Sequence, residues 1–471
     1  MRDNSEKKEF ALQLFNLEDS NVSKIDCFHI GNDELIIDII LVQSNEPCPI
    51  CSCDTPKIKG YTLKKINHAL LTDRRCTIHY HARRYICPIC KRTYYEHNPF
   101  VFQSQKISVL TVTNVLTDLK DSNETFSSVA ARYHISPTTV ASLFDTHVSI
   151  DRRPLPEHIC IDECYAFKSS DSKYVCMLLD FDTHKPIDIL NSRRIDHLRS
   201  YLLSIDKSER ANVKLVCSDM YDTYRTVSLS LFPNAVHIVD HYHLQADLNR
   251  AVDAVRIRIM RNVHRNNESD KYYLLKHFNW LIYKSEESDD EIKKLDKKGK
   301  LPLFDPNRER KYNKHFKCYL NYYEIRDMLK DLHPDLKEAW DLKDDVVDFY
   351  TSCTIDTAEA KLNELIKKFK SSPVKEMKEF GKTLSKWRKE IINSFHIVGY
   401  NYRVDSDTGH VVVQTKKMNN AIIENRNAIL KCLKKNANGY TNWIRFRNRA
   451  MYVLDKDAKY SLYPIKKKEV K

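Results

Sequence analysis

His158-Ile159-Cys160-Ile161-Asp162 and Val213-Lys214-Leu215-Val216-Cys217-Ser218-Asp219 are the two stretches whose reading decides the fold. Each is a short apolar run that ends in an acid. Near-continuous apolar strands are expected where helices cover both faces of a sheet. Working outward, 174–181 and 186–190 read as two further strands and 195–205 as a helix. Residues 222–231 read as a second helix and 235–239 as a fifth strand. Three strands, then helix, strand, helix, strand predict a mixed sheet with helices packed on its faces. The order matches the ribonuclease-H-like layout, in which adjacent central strands would bring Asp162 and Asp219 to one edge of the sheet.

A third acid belongs with these two. Ile423-Glu424-Asn425 sits early in a helix read over 418–435. From Asn425 to Arg449 there are seven Lys or Arg residues and no acid. The stretch between, about 243–398, is charged, helical in pattern and poor in turn signals. It is too long for a loop inside one compact domain, so it reads as an all-helical insertion before the final helix. The insertion's Trp280 and Trp340 read as core residues, and His237, His241 and His243 as structural ones.

Hydrolysis and transfer at a phosphodiester need an activated nucleophile and a stabilised leaving oxygen, which two divalent ions can supply. Mg²⁺ takes hard oxygen ligands and keeps several waters, so a few carboxylates suffice. Asp162, Asp219 and Glu424 are therefore the candidate catalytic residues and ligands for Mg²⁺ (or Mn²⁺). Glu163 competes with Asp162 for the role, and Asp240 is a supporting candidate.

The N-terminal third carries two copies of one tetrapeptide, Cys48-Pro49-Ile50-Cys51 and Cys87-Pro88-Ile89-Cys90, after a strand read over 35–42. Each C-x-x-C turn aims two sulfurs at one point, which suits a tetrahedral structural Zn²⁺. The separation leaves room for a β-hairpin across 58–85. Cys53, Cys76, His68, His79 and His81 are alternative ligands. Arg83, Arg84, Lys91 and Arg92 make the module basic and suited to DNA phosphates. Downstream, 125–144 holds two helical patterns separated by His134-Ile135-Ser136. Ser136 suits an N-cap and Pro137 the first helical position. The pattern is that of a helix-turn-helix, with Thr138, Thr139 and Ser142 facing DNA. Arg426, Lys431, Lys434 and Lys435 add a second DNA-binding group.

Composition is consistent with this. At roughly 150 residues per domain, 471 residues hold about three domains. Lys plus Arg number 77 against 64 Asp plus Glu, a formal charge of +13 that suits a polyanionic partner. No apolar run reaches the roughly 18 residues of a membrane span. The start of the chain lacks the apolar segment of a signal peptide. A cytoplasmic, nucleoid-associated protein is expected, with its 14 cysteines as thiols or metal ligands.

The chain resembles bacterial insertion-sequence transposases of the ISL-three group, a DDE-type family. The likeness rests on motifs in a fixed order: Cys48-Pro49-Ile50-Cys51, Arg83-Arg84-Tyr85-Ile86-Cys87, Ile161-Asp162-Glu163 and Ser218-Asp219-Met220. It continues through Val239-Asp240-His241-Tyr242-His243 and Asn420-Ala421-Ile422-Ile423-Glu424 to Asn438-Gly439-Tyr440. Where the family usually has glycine after the glutamate, this chain has Asn425. The resemblance implies an α/β multidomain protein. Its parts are a strand and zinc-binding β module over 1–102 and a helix-turn-helix over 103–152. An RNase-H-like DDE domain follows over 153–245 and 405–460, interrupted by the helical insertion at 246–404. It also implies cleavage of double-stranded DNA at element ends and strand transfer to a target, by a homodimer or higher oligomer. The acidic triad falls on Asp162, Asp219 and Glu424. Two rival readings are a non-enzymatic DNA-binding regulator and a metal-dependent nuclease without transfer activity.

Overall fold

The computed structural model describes residues 12, 21–30, 34–43, 46–68, 74–102, 105–168, 172–266, 268–404, 409 and 411–464. Contacts divide the chain into two compact units. One comprises Met1–Arg152, Cys164–Val175 and Arg426–Lys471, and the other Arg153–Glu163 and Cys176–Asn425. The division at Asn425 falls inside the 405–460 segment assigned from sequence to one domain.

The first unit opens on a five-stranded sheet of β1 (Val22–Ile30), β2 (Glu34–Leu41), β3 (Lys57–Asn67), β4 (Arg75–Ile86) and β5 (Thr93–Tyr95). Its order is β1-β2-β4-β3, with β5 paired to β4. Strands β3 and β4 pair antiparallel, as the hairpin reading expects. Alternation along β4 sends Ile78, Tyr80 and Ala82 into the core with Ile37, Ile39 and Ile66. Arg83 breaks that alternation. Its guanidinium is buried and donates to Glu96 at 3.0 Å, while Tyr80 donates to the same carboxylate at 2.7 Å. Glu96→Ala would strand this cation. Breaking a buried pair on one side costs about 3–5 kcal/mol, so the urea midpoint of the variant is expected to fall accordingly.

Three helices follow in the same unit: Val109–Asp118, Phe126–Arg132 and Pro137–His147. Ser136 caps the third by accepting from the Thr139 N–H, and Pro137 takes its first turn. His134, at φ 53°, makes the break between the last two. Helix Trp443–Leu454 packs on this group, with Tyr452 against Phe144 and Arg445 paired to Asp145.

The second unit holds the sheet that matters for chemistry: β6 (His158–Cys164), β7 (Val175–Asp180), β8 (Pro186–Leu190), β9 (Leu215–Ser218) and β10 (Val236–Val239). The spatial order is β10-β9-β6-β7-β8. Strands β10, β9 and β6 run parallel, and β7–β8 is antiparallel, so the sheet is mixed. One face is covered by helices Ile195–Leu203 and Asp222–Leu231 through Leu198, Leu202, Val227 and Leu231. A separate helical core, including Trp340, Phe349, Trp387 and Phe395, organises the residues that follow β10.

The insertion is not wholly helical, which corrects the sequence reading. It contains a small hairpin, β11 (Lys311–Asn313) and β12 (Cys318–Leu320). Lys317 turns the chain at φ 54°, and Tyr312 and Tyr319 pair across the strands at 5.3 Å. Aromatic cross-strand pairs of this kind stabilise a hairpin where helix propensity is weak. A longer hairpin, β13 (Ile397–Val404) with β14 (Val411–Lys417), precedes helix Ala421–Asn436. Among the described residues no helix is long and apolar enough to cross a membrane.

Candidate functional site

Parallel pairing places three carboxylates at one end of three neighbouring strands. Ile161 lies opposite Ser218 in the β6–β9 register, and Val239 opposite Ser218 in β10–β9. Asp162, Asp219 and Asp240 are each the next residue along. The Asp240 N–H donates to the Ser218 carbonyl at 3.0 Å, which extends the ladder by one step. Side chains at the carboxyl ends of parallel strands are where open α/β sheets place their ligands. Asp162 and Asp219 close up with Glu163 into a group whose oxygens lie within 4.8 Å of one another.

Glu163 is held for structural ends. It is ion-paired with Arg193 and accepts from the Tyr224 hydroxyl at 2.7 Å. Arg193 in turn lies over the Tyr221 ring at 4.9 Å. Asp162 is only 8% exposed and accepts from the Glu163 N–H at 2.8 Å.

Glu424 reaches the same end of the sheet from the first turn of helix Ala421–Asn436. Contacts along β6 seat that helix start: the Cys160 thiol donates to the Asn419 carbonyl, and the Asn420 amide to the Ile161 carbonyl. Glu424 does not join the Asp162 group directly. Its carboxylate groups with Asp240 and His243, and the His243 Nε2 lies 3.6 Å from Glu424 Oε1. The three acids expected to form one cluster are thus spread over two. The two are electrostatically linked, since the charge of Asp240 acts on Asp219 and that of His243 on Asp162. The sequence alone reads His243 as structural. The i, i+3 spacing of Asp240 and His243 at a helix start was the available signal.

Burial pushes the Asp162 carboxyl up to about 7, and the charges of Glu163 and Asp219 add to the effect; the Glu163 amide and His243 oppose it. Asp219 is also pushed to about 7, by burial first and then by Glu163, with Arg193 opposing. Crowded acids that resist ionisation are what a divalent cation relieves. Asp219 Oδ1 and both oxygens of Asp240 are buried without a hydrogen-bond partner. These donors fit a divalent cation. His237, beneath them, is driven down to about 4 by burial and lies 2.9 Å from the Ser218 hydroxyl. It is a neutral core residue.

The four predicted zinc ligands do converge. Cys48 and Cys90 sulfurs are 3.8 Å apart, Cys51 and Cys87 3.5 Å, and all four lie within 4.8 Å. Tetrahedral bonds of about 2.3 Å imply sulfur–sulfur edges of about 3.8 Å, so the cluster could hold zinc. The two tetrapeptides fold alike. Ser52 and Lys91 donate back to the Cys48 and Cys87 carbonyls, and both adopt positive φ, 56° and 59°. Of the alternative ligands, His68 is paired with Ser108 and His81 with Asp38, and Cys53 packs against the cluster with its thiol 3.7 Å from the Thr55 hydroxyl.

The basic residues divide. Arg83 cannot serve as a phosphate contact, because its guanidinium is buried against Glu96; this corrects the sequence reading. Arg84 and Arg426 are half-buried, and Lys91 and Arg92 are exposed. Thr138 and Ser142 point to solvent, and Thr139 is half-exposed with its hydroxyl 2.7 Å from that of Ser136. Lys431, Lys434 and Lys435 line a cleft with Tyr165, whose ring lies 3.6 Å beneath the Lys434 ammonium.

Comparison with curated proteins finds no match. A family model described as a transposase, of the ISL-three DDE type, matches residues 159–401. That span covers just over half of the chain. It contains Asp162, Asp219, Asp240 and His243 and stops before Glu424. The chain therefore belongs to the ISL-three family of DDE transposases.

Proposed function

We propose that this transposase binds the terminal inverted repeats of an insertion sequence, cleaves the DNA at those ends and transfers the strand to target DNA. The observation that carries the reading is the convergence of Asp162 and Asp219 at the carboxyl ends of adjacent parallel strands, with Glu424 brought to the same end by a returning helix. The sheet order and its helices support an RNase-H-like catalytic domain. The capped pair Phe126–Arg132 and Pro137–His147 supports a helix-turn-helix.

Asp162, Asp219 and Glu424 would hold Mg²⁺ or Mn²⁺. When bound, such ions activate the attacking water or 3′-hydroxyl and neutralise charge on the leaving oxygen. The chain's own residues provide the rest. Thr138, Thr139 and Ser142 would meet the element end. Lys91 and Arg92 beside the zinc module, and Lys431, Lys434 and Lys435, would neutralise phosphates. Arg193 keeps Glu163 away from the ligand role and leaves Asp162 to it. Pairing two element ends calls for at least a dimer, acting in the bacterial cytoplasm on the nucleoid.

The test is incubation with the flanking terminal DNA and Mg²⁺, comparing wild type with Glu424→Gln. The variant should bind ends and fail to cut them; equal cleavage removes Glu424 from the catalytic set. Pre-cleaved ends should be joined to target DNA, which a simple nuclease would not do.

A pH dependence follows from the strand-end acids. Protons compete with the cation for Asp162 and Asp219, both shifted to about 7. Cation affinity is expected to rise with pH up to about 7 by as much as tenfold per unit for each proton displaced, then flatten. Calorimetric titration from pH 6 to 8 in buffers of different ionisation enthalpy would read both the affinity and the protons released.

A further inference from the structure

We propose that Asp240, His243 and Glu424 form a second cation site, of mixed carboxylate and imidazole character, that takes a first-row transition ion such as Mn²⁺ in preference to Mg²⁺. The inference deepens the reading above, because it reassigns the ion held by Glu424 to a donor set that includes Asp240 and His243.

Asp240 is the strongest observation. It stands at the N-cap position of helix His241–Arg265, where an aspartate ordinarily accepts a backbone N–H. Here its side chain makes no such bond. It is 1% exposed, and neither carboxylate oxygen has a hydrogen-bond donor. A carboxylate buried in that state is costly unless a cation meets it. The neighbouring imidazoles stand off: His241 Nδ1 is 3.7 Å from Asp240 Oδ1, and His243 Nε2 is 3.9 Å from Oδ2. His243 Nε2 is itself without a hydrogen-bond partner and lies 3.6 Å from Glu424.

These separations are too long for hydrogen bonds. They exceed by a few tenths of an ångström the roughly 3.4 Å ligand–ligand edge that tetrahedral bonds of about 2.1 Å imply, so a small inward movement of these side chains would seat an ion. Donor atoms from all three residues lie within 4.8 Å of one another. Helix geometry accounts for the approach, since residues at i and i+3 share a face. Glu424 closes the set from a separate helix.

Donor chemistry then separates the two clusters. Asp162 and Asp219, grouped with the Arg193-paired Glu163, offer oxygen alone, which suits Mg²⁺. An imidazole nitrogen favours first-row transition ions over Mg²⁺. The sheet end therefore presents two sites of unequal hardness, and the softer one contains Glu424.

The experiment uses the full chain with Mn²⁺ as probe, followed by electron paramagnetic resonance in a large excess of Mg²⁺. Wild type should retain one Mn²⁺ with nitrogen hyperfine coupling from an imidazole. Asp240→Asn should weaken that ion at least about tenfold, the lower end of what even supporting groups around a metal contribute. His243→Gln should abolish the nitrogen coupling; this side chain is 32% exposed, so the substitution should fold. Asp219→Asn should leave the retained Mn²⁺ in place. Mn²⁺ fully displaced by Mg²⁺ in wild type, or retained unchanged with nitrogen coupling in the folded His243→Gln variant, would overturn the proposal. Failure here with normal Mg²⁺-dependent cleavage would sink only this inference. Retained Mn²⁺ with no cleavage would sink the catalytic reading instead.

Discussion

Asp162→Asn is expected to lower DNA cleavage by about 10³-fold or more, since metal-assisted charge stabilisation is worth several kcal/mol and each 1.36 kcal/mol is tenfold. Binding to element ends should be unchanged. The amide matches the carboxylate in shape and can still accept from the Glu163 N–H, so the strand end keeps its geometry. What is lost is the anion. Asp162 is the most buried member of its cluster. Glu163 is tied to Arg193 and Tyr224. Stability should move the other way. A carboxyl raised from 3.8 to about 7 in the folded state contributes stability below the unfolded value and loses it as pH rises through the folded one. Above pH 7 the metal-free variant should therefore melt no lower than wild type, and somewhat higher. Cleavage assays on terminal DNA and thermal melts with and without Mg²⁺ check both statements. A variant that cuts at the wild-type rate would end the catalytic reading of this residue.

Cys87→Ala should have the second large effect, on folding of the N-terminal module. Cys87 is fully buried and packs with Cys48 and Cys53. A structural zinc contributes on the order of 10 kcal/mol or more to small domains that depend on it. The nearby strand β5 is only three residues long and is not stable alone. The variant should purify without stoichiometric zinc by mass spectrometry. Amide exchange should rise across residues 46–68 and 84–95, while the core around Ile37, Ile39, Ile78 and Tyr80 stays protected. A chelator applied to wild type should reproduce the pattern. Zinc retained at one per chain in Cys87→Ala would remove this cysteine from the ligand set.

Much of the architecture was legible because its signals are local. The apolar runs before Asp162 and Asp219 announce covered strands, and Ser136-Pro137 announces a helix start. The repeated Cys-Pro-Ile-Cys announces two matching turns. What escaped was non-local. Arg83 lies in an arginine-rich stretch and reads as a surface cation. Its burial depends on Glu96 and on the carbonyl of Leu41, brought in by a neighbouring strand. The β11–β12 hairpin escaped because three-residue strands carry too little periodicity to stand out from charged helices.

Sequence by itself determined the α/β class, the four-cysteine cluster and the acids at the strand ends, since each follows from spacing within a few residues. Only the tertiary structure decided how those acids are shared out. It set Glu163 against Arg193, placed Asp240 beside Asp219 across a parallel ladder, and gave Glu424 a histidine for a neighbour. The physical reason is that donor atoms group by strand register and helix entry angle, which are properties of packing across hundreds of residues; one spacing, such as that of Asp240 and His243, can pair two donors but does not say which third residue joins them.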